Sequence, residues 1–205
     1  MPKDKTQMHE KIIAAATSEF LEHGFESASM RRIAAEVGLT VGALYRHFSG
    51  KEDMFSALVE PTVNELMVKY KDFCEQGYEI MKCGDVNQLW NESASETKWL
   101  MSFVYDHINE FRLLICCSRG TKYQSFLHDM ASMEERTTLD YFEHMKQYGM
   151  TVNELSKKEF HMLVTANVSA LFEAVIHGFE REEAMHYAET LDAFFSAGWK
   201  KILGV

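Results

Sequence analysis

Proline is almost missing from this sequence: Pro2 and Pro61 are the two in 205 residues. Strand-like alternation of polar and apolar residues is also scarce, while Ala, Leu, Met, Glu and Lys are abundant, so an all-α chain is expected. Cysteine is sparse. Cys74, Cys83, Cys116 and Cys117 show neither CxxC spacing nor the density of a disulfide scaffold, which points to free thiols in a reducing compartment. There is no unbroken run of about 18 apolar residues, and the opening MPKDKTQMHEK has no apolar signal core. Neither a membrane partner nor secretion is expected, and a cytoplasmic location is. A glycine-rich phosphate loop, a nucleophile elbow and an HExxH pair are all missing, so the chain does not read as an enzyme. His107, His128, His144, His161, His177 and His186 never stand four residues from another His or Cys of ligand quality, so no metal site and no cofactor are expected.

What is present is a chain with 46% hydrophobic residues, enough to bury a sizeable core. Four segments have Ser or Thr followed three residues later by Glu: Ser49 to Glu52, Ser93 to Glu96, Thr151 to Glu154 and Ser156 to Glu159. Each reads as a capping box at a helix start. The stripe Met8, Ile12, Ala16, Phe20 predicts a first helix over 6–23, ended by Gly24. Between Ser29 and Phe48 the pattern is a helix over 30–37, a tight Gly38-Leu39 turn, and a second helix capped by Thr40. That is a helix-turn-helix. Ile33, Ala34, Val37, Leu39, Leu44 and Phe48 can face inward, while Gly42 and Ala43 keep the second helix slim enough for a major groove. The same geometry also suits an ordinary helical hairpin inside a larger bundle.

Gly24-Phe25, Ser29-Met30-x-x-Ile33-Ala34, Gly38, Thr40-x-Gly42-x-Leu44-Tyr45-x-His47-Phe48 and Lys51 together resemble the tetracycline-repressor (TetR) family of regulators over about the first 55 residues. The resemblance implies an all-α homodimer with a three-helix DNA-binding head at 1–50. A divergent effector-binding and dimerisation body would follow at 51–205, about nine helices in all. It also implies a transcriptional regulator, read here as a repressor released from a palindromic operator by a small, largely apolar effector. An effector-independent helical DNA-binding protein, or an enzyme built on a helical bundle, are the alternatives.

Carried over by position, Ser29 and Thr40 cap their helices and donate to phosphates, Tyr45 and His47 hold the DNA backbone, and Lys51 anchors the start of the fourth helix. Such donors position a protein on a duplex without reading its sequence. Tyr45 or His47 could instead close the small core of the head. Val41 and Ala43, flanking Gly42, are small and apolar; they can touch thymine methyls but cannot hydrogen-bond bases. That leaves Arg46 as the long donor of the groove, to guanine or to phosphate. Arg32 stands where the family usually has an acidic capping partner, which adds charge near DNA. Residues 1–51 carry seven Lys or Arg and six Asp or Glu, a net +1, so the remainder is −11 in a chain of −10. An acidic body repels the polyanion and predicts salt-sensitive binding.

In the body, Pro61 interrupts a long helix running from Lys51 past Tyr70. A kink there is either a regulatory joint or a static bend. The stripes of 157–177 and 181–202 have helical spacing and small residues. Leu163, Asn167, Leu171, Ala174, Leu191, Phe195 and Trp199 are the dimer-interface candidates, although such stripes equally suit an internal core. The middle segment is rich in Met and aromatics, as adaptable pockets and plain cores both are. Trp99, Phe103, His107, Tyr123, Phe126 and Met130 are its ligand-binding candidates. The acidic body favours a lipophilic cation over an anion, a preference that an inward-turned Arg112 or Arg119 would reverse.

Overall fold

In the computed structural model the backbone is described for residues 2–83, 86–149 and 152–204, and the side chains of these except 2–6, 86–87 and 89–92. Among the described residues there are nine α-helices, one π-helical turn and no strand. In chain order they are α1 (Pro2–Ser27), α2 (Met30–Glu36), α3 (Val41–Leu44), α4 (Lys51–Cys83), α5 (Val86–Asp106), α6 (Ile108–Arg112), the π turn Leu113–Cys117, α7 (Phe126–Gln147), α8 (Lys157–Ile176) and α9 (Arg181–Leu203).

The chain forms two compact units, which a division at 50/51 does not match: Met1–Glu65 with His107–Ser125, and Leu66–Asp106 with Phe126–Val205. Hydrophobic continuity explains the composition of the first. Ile12, Ala16 and Phe20 of α1 are fully buried, as are Ile33, Leu44, Met54, Phe55 and Phe111. Phe55, inside α4, meets Phe20 edge-on at 5.2 Å and Phe25 at 5.5 Å. The π turn packs against α1, contributing buried Leu113, Leu114 and Cys117. α1 runs past its expected stop: Gly24 takes φ 68°, which kinks the helix, and one further turn follows.

The second unit pairs α5 with α9, α7 with α8 and α8 with α9. Met101, Ala174, Ala184 and Ala188 form one of its cores, the three alanines allowing close helix approach. Tyr105 Oη donates to the Phe179 carbonyl at 2.9 Å, and Arg181 reaches Asp106 at 2.6 Å. α8 is the one described helix with the length and hydropathy of a membrane span. Its buried Phe160, Val164, Val168, Phe172 and Val175, at helical spacing, account for that composition as core packing.

Of the expected capping boxes, Ser156 with Glu159 is fully formed. At Ser49 it is Asp53, not Glu52, that accepts from the backbone N–H, at 2.8 Å. Ser93 and Glu96 lie inside α5, where strong tertiary pairing carries the helix through them. Thr151 lies outside the described residues.

Gly77 shows how tightly α4 and α7 meet. A Cβ there would stand 2.6 Å from Tyr141 Oη, which donates to the Cys74 carbonyl at 3.0 Å. Alanine in a helix interior normally gains about 1 kcal/mol over glycine. Here Gly77→Ala is expected to lower the melting temperature instead, and to become neutral or stabilising in a Tyr141→Phe background, measured as a thermal double-mutant cycle.

Candidate nucleic-acid interface

The helix-turn-helix is made by short-range hydrogen bonds that its residue types dictate. α2 ends in a Schellman arrangement, with Gly38 at φ 71° and the Leu39 N–H bonded to the Ala34 carbonyl at 2.8 Å. Thr40 starts α3: its Oγ1 accepts the Ala43 N–H at 3.1 Å. α3 is a single α-turn, extended to His47 by tighter bonds, Arg46 N–H to Ala43 O at 3.2 Å and His47 N–H to Leu44 O at 2.9 Å. Leu44 and Phe48 point into the core.

The opposite side of α3 is open. Tyr45 is 50% exposed and Arg46 and His47 are exposed, so neither aromatic ring closes the core. A Cβ at Gly42 would meet no atom within 4 Å, so the protomer's own packing does not require this glycine. Val41 and Ala43 flank it, half-buried.

Ser29, Arg32 and Lys51 make contacts within the head. Ser29 occupies the N-cap of α2, yet its side chain makes no capping bond. The cap comes from α1: Glu19 Oε1 accepts the Ser29 N–H at 2.6 Å. Arg32 holds that carboxylate with Nε at 2.9 and 3.0 Å and Nη2 at 2.5 Å, and Nη2 also donates to the Ser27 carbonyl at 2.9 Å. Its guanidinium is therefore engaged by α1 and the α1–α2 junction, with about half of the side chain, 52%, still exposed. Lys51 Nζ donates to the carbonyls of Glu26 and Ala28 at 3.0 and 3.2 Å, above the Phe25 ring, and so ties the start of α4 to the end of α1.

Arg31 is the residue that motif reading overlooked. Its side chain is exposed and makes no ion pair or hydrogen bond among the described residues, as is also true of the Arg46 side chain. Helical phase could have found it: with Met30, Ile33 and Ala34 buried, position 31 of α2 must face outward.

The expected ligand-binding residues divide between the units. His107, 4.0 Å from Glu65, and Tyr123, against Phe55, belong to the first. Trp99 packs on Phe73 and Phe103, Phe126 on Phe172, and half-buried Met130 joins them in the second. Arg119 is exposed and paired with Glu26, and Arg112 is exposed.

Two interface candidates require correction. Ala174 is fully buried in the alanine core and Leu191 is 9% exposed, so both are enclosed within the protomer. Leu163, Asn167, Leu171, Phe195 and Trp199 are half-buried, the last against Phe160. The strongly exposed apolar side chains of these helices are Phe194 at 71% and Met162 at 66%.

Burial alone would raise the Glu19 carboxyl pKa, but hydrogen bonds from Arg32 and the Ser29 N–H, with the charge of Arg32, hold it below its ordinary 4.5. A depressed carboxyl pKa stabilises the fold above that ordinary value and loses its contribution as pH falls through the folded one. Glu19→Gln is expected to destabilise the protein by about 2 kcal/mol at neutral pH, by denaturant titration, and to reduce the loss of stability below about pH 4.5.

A sequence profile of bacterial regulatory proteins of the tetR family matches residues 12–58. An HTH-type transcriptional regulator of Staphylococcus aureus strain USA300 is 34% identical over 158 residues, 70% of this chain and 85% of that protein. With a regulator from the bovine strain RF122 the identity is 36% over 85 residues, 40% of this chain and 46%, about half, of that protein. The fold is shared with Pseudomonas aeruginosa NalD, the secondary repressor of the MexAB-OprM multidrug efflux pump. That match has a TM-score of 0.61 and 17% identity, over 96% of this chain and 97% of the other. Bacillus subtilis FadR, solved in complex with stearoyl-CoA, matches with a TM-score of 0.58 and 15% identity over 93% and 98%. The profile match and a regulator 34% identical over 70% of this chain agree with the helix-turn-helix geometry: the chain belongs to the tetR family and is a DNA-binding transcriptional regulator.

Proposed function

We propose that this regulator is a cytoplasmic homodimeric repressor that binds a partly palindromic operator and leaves it when the body takes up a small, largely apolar effector. In functional terms residues 1–50 serve DNA binding and 51–205 serve effector binding and dimerisation. The observation that carries the DNA part is the open face of α3, where Thr40, Tyr45, Arg46 and His47 stand around an uncrowded Gly42, with unpaired Arg31 exposed on α2. Phosphate contacts come from Tyr45, His47, Arg31 and the α3 N-terminus capped by Thr40. Val41 and Ala43 set preference through thymine methyls, and Arg46 is the long donor. Ser29, Arg32 and Lys51 act indirectly, by fixing α2 and α4.

Dimerisation is assigned to α8 and α9. Phe194 and Met162 are large apolar side chains in open solvent on the protomer, and the half-buried Leu163, Asn167, Leu171, Phe195 and Trp199 belong to the same helices. The effector reading is supported by FadR, a protein of this fold solved with stearoyl-CoA, and by NalD, named a repressor. Pro61, inside α4, is taken as the joint through which effector binding re-aims the head. Coupling of a few kcal/mol suffices for release.

Selection of bound duplexes from a random pool supplies the operator for testing. Arg31→Ala and Arg46→Ala are each expected to weaken binding about tenfold and to reduce the salt slope by roughly one. Val41 and Ala43 substitutions should change the selected sequence. Full affinity in an Arg31→Ala, Arg46→Ala double variant would refute the interface.

Phe194→Asp and Met162→Asp should each produce monomers by light scattering, and monomers should lose operator binding. Charges introduced into a packed apolar interface cost several kcal/mol. A stable dimer in both variants would place the interface elsewhere.

A further inference from the structure

Near its start α1 carries a side chain that the packing of the head does not require to be polar. Ile12 and Ala16 are fully buried, and one turn before Ile12 stands His9, exposed yet stacked on Phe48: the ring centroids are 5.6 Å apart and the planes 23° from parallel. Phe48 itself is 5% exposed, so the imidazole covers from outside the aromatic ring that closes the end of α3. An apolar side chain would cover Phe48 without desolvating a polar ring. The His9 side chain makes no hydrogen bond or ion pair among the described residues, so its N–H is left for water or a ligand.

The position of that ring ties it to the end of α3. Phe48 directly follows His47, and its N–H bonds the Leu44 carbonyl at 3.2 Å, so the helical turn stays closed as far as Phe48. Through this one ring His9 adjoins the segment that carries exposed Tyr45, Arg46 and His47. All of them lie in the same compact unit. His9 also precedes residues 12–58, so no family pattern singles it out. Lys11 is exposed and likewise without a side-chain partner among the described residues, but it stands about 200° further round α1.

We propose that His9 is a further DNA contact: its imidazole N–H donates to an operator phosphate, so that α1 holds the duplex together with α2 and α3. The inference rests on the reading of the open α3 face as the DNA interface, and it adds a residue from a different helix. Phosphate oxygens accept from surface N–H groups, and such contacts fix register rather than read bases. A neutral imidazole offers one N–H and a protonated one offers two, so either form can make the bond. Stacking on Phe48 leaves the ring few orientations, which reduces the entropy lost on binding.

An operator selected from a random pool provides the test, with affinities measured for the full chain. His9→Phe keeps a ring against Phe48 and removes the donor. It is expected to melt no lower than the unaltered protein and to bind the operator about tenfold more weakly, roughly threefold for each of two heads. His9→Arg keeps a planar group that stacks and restores a donor with charge, so it should match or exceed the original affinity, with a salt slope steeper by about one for each head. Lys11→Met, the control, should cost less than about twofold, because an exposed charge away from the contact is screened. Methylphosphonates replacing single operator phosphates locate the bond: at one position in each half-site they should weaken the unaltered protein but not His9→Phe. Full affinity in His9→Phe, an equal loss in Lys11→Met, or the absence of any such phosphate would overturn the proposal. If His9→Phe does not melt cooperatively, His9→Arg decides in the same scan: a loss at one phosphate larger than that of the unaltered protein upholds the contact, and equal losses everywhere overturn it. Full affinity in His9→Phe with loss in the Arg31→Ala, Arg46→Ala double variant rejects this contact and leaves the α3 interface standing. Loss in His9→Phe with full affinity in that double variant does the reverse.

Discussion

The head depends on one buried carboxylate. Glu19 is 7% exposed on α1, and it caps the start of α2 by accepting the Ser29 N–H while Arg32 grips both of its oxygens. A carboxylate so placed would be costly if left unpaired, and removing either partner strands the other. The arrangement replaces the local capping box that Arg32, standing in the acidic position, makes impossible. An ordinary box acts within one turn of one helix. This one joins the middle of α1, the last carbonyl of α1 and the first N–H of α2, so the angle between the two helices is fixed by charge-assisted bonds as well as by Phe20 and Ile33. The price of a non-local cap is its dependence on tertiary structure.

That constraint decides which cations of the head keep their charge for partners within it. Arg32 faces Glu19, and Lys51 satisfies two carbonyls at the end of α1. The side chains of Arg31 and Arg46 have no partner among the described residues, on the surface of a head that is barely cationic within a strongly acidic chain.

The acidic surplus of the body is not spread evenly in effect. Much of it is exposed and screened, or paired, as in Glu173 with His177 and Glu75 with Lys71. Glu134 differs in being half-buried with hydroxyl partners, Tyr70 and Thr138, and burial raises its carboxyl pKa. The tyrosines of this region depend on similar close contacts. Tyr141 reaches the backbone of α4 only because Gly77 has no side chain, and Tyr78, whose hydroxyl bonds Asp140, has its pKa pushed up to about 12, with burial the largest cause.

The all-α class, the helix-turn-helix and the donors of α3 were legible in the sequence because each arises within a few residues: Gly38 for the left-handed turn, Thr40 for the cap, and the 3.6-residue phase for Leu44 and Phe48. Periodicity also marked α8 and α9 as apolar, since that depends only on composition around a helix. It could not say which stripe is internal, and Ala174 and Leu191 proved to be core while Phe194 and Met162 were left outside. Partners distant in sequence were equally hidden. Glu19 stands thirteen positions before the Arg32 that it pairs with, and nothing local links Glu134 to Tyr70, or Lys69 to Trp99. Sequence alone determined what each short segment would become, because hydrogen bonds of turns and helices close locally. Tertiary structure decided which charges are engaged and which are free, because a salt bridge or an aromatic contact is set by distances that only packing brings about.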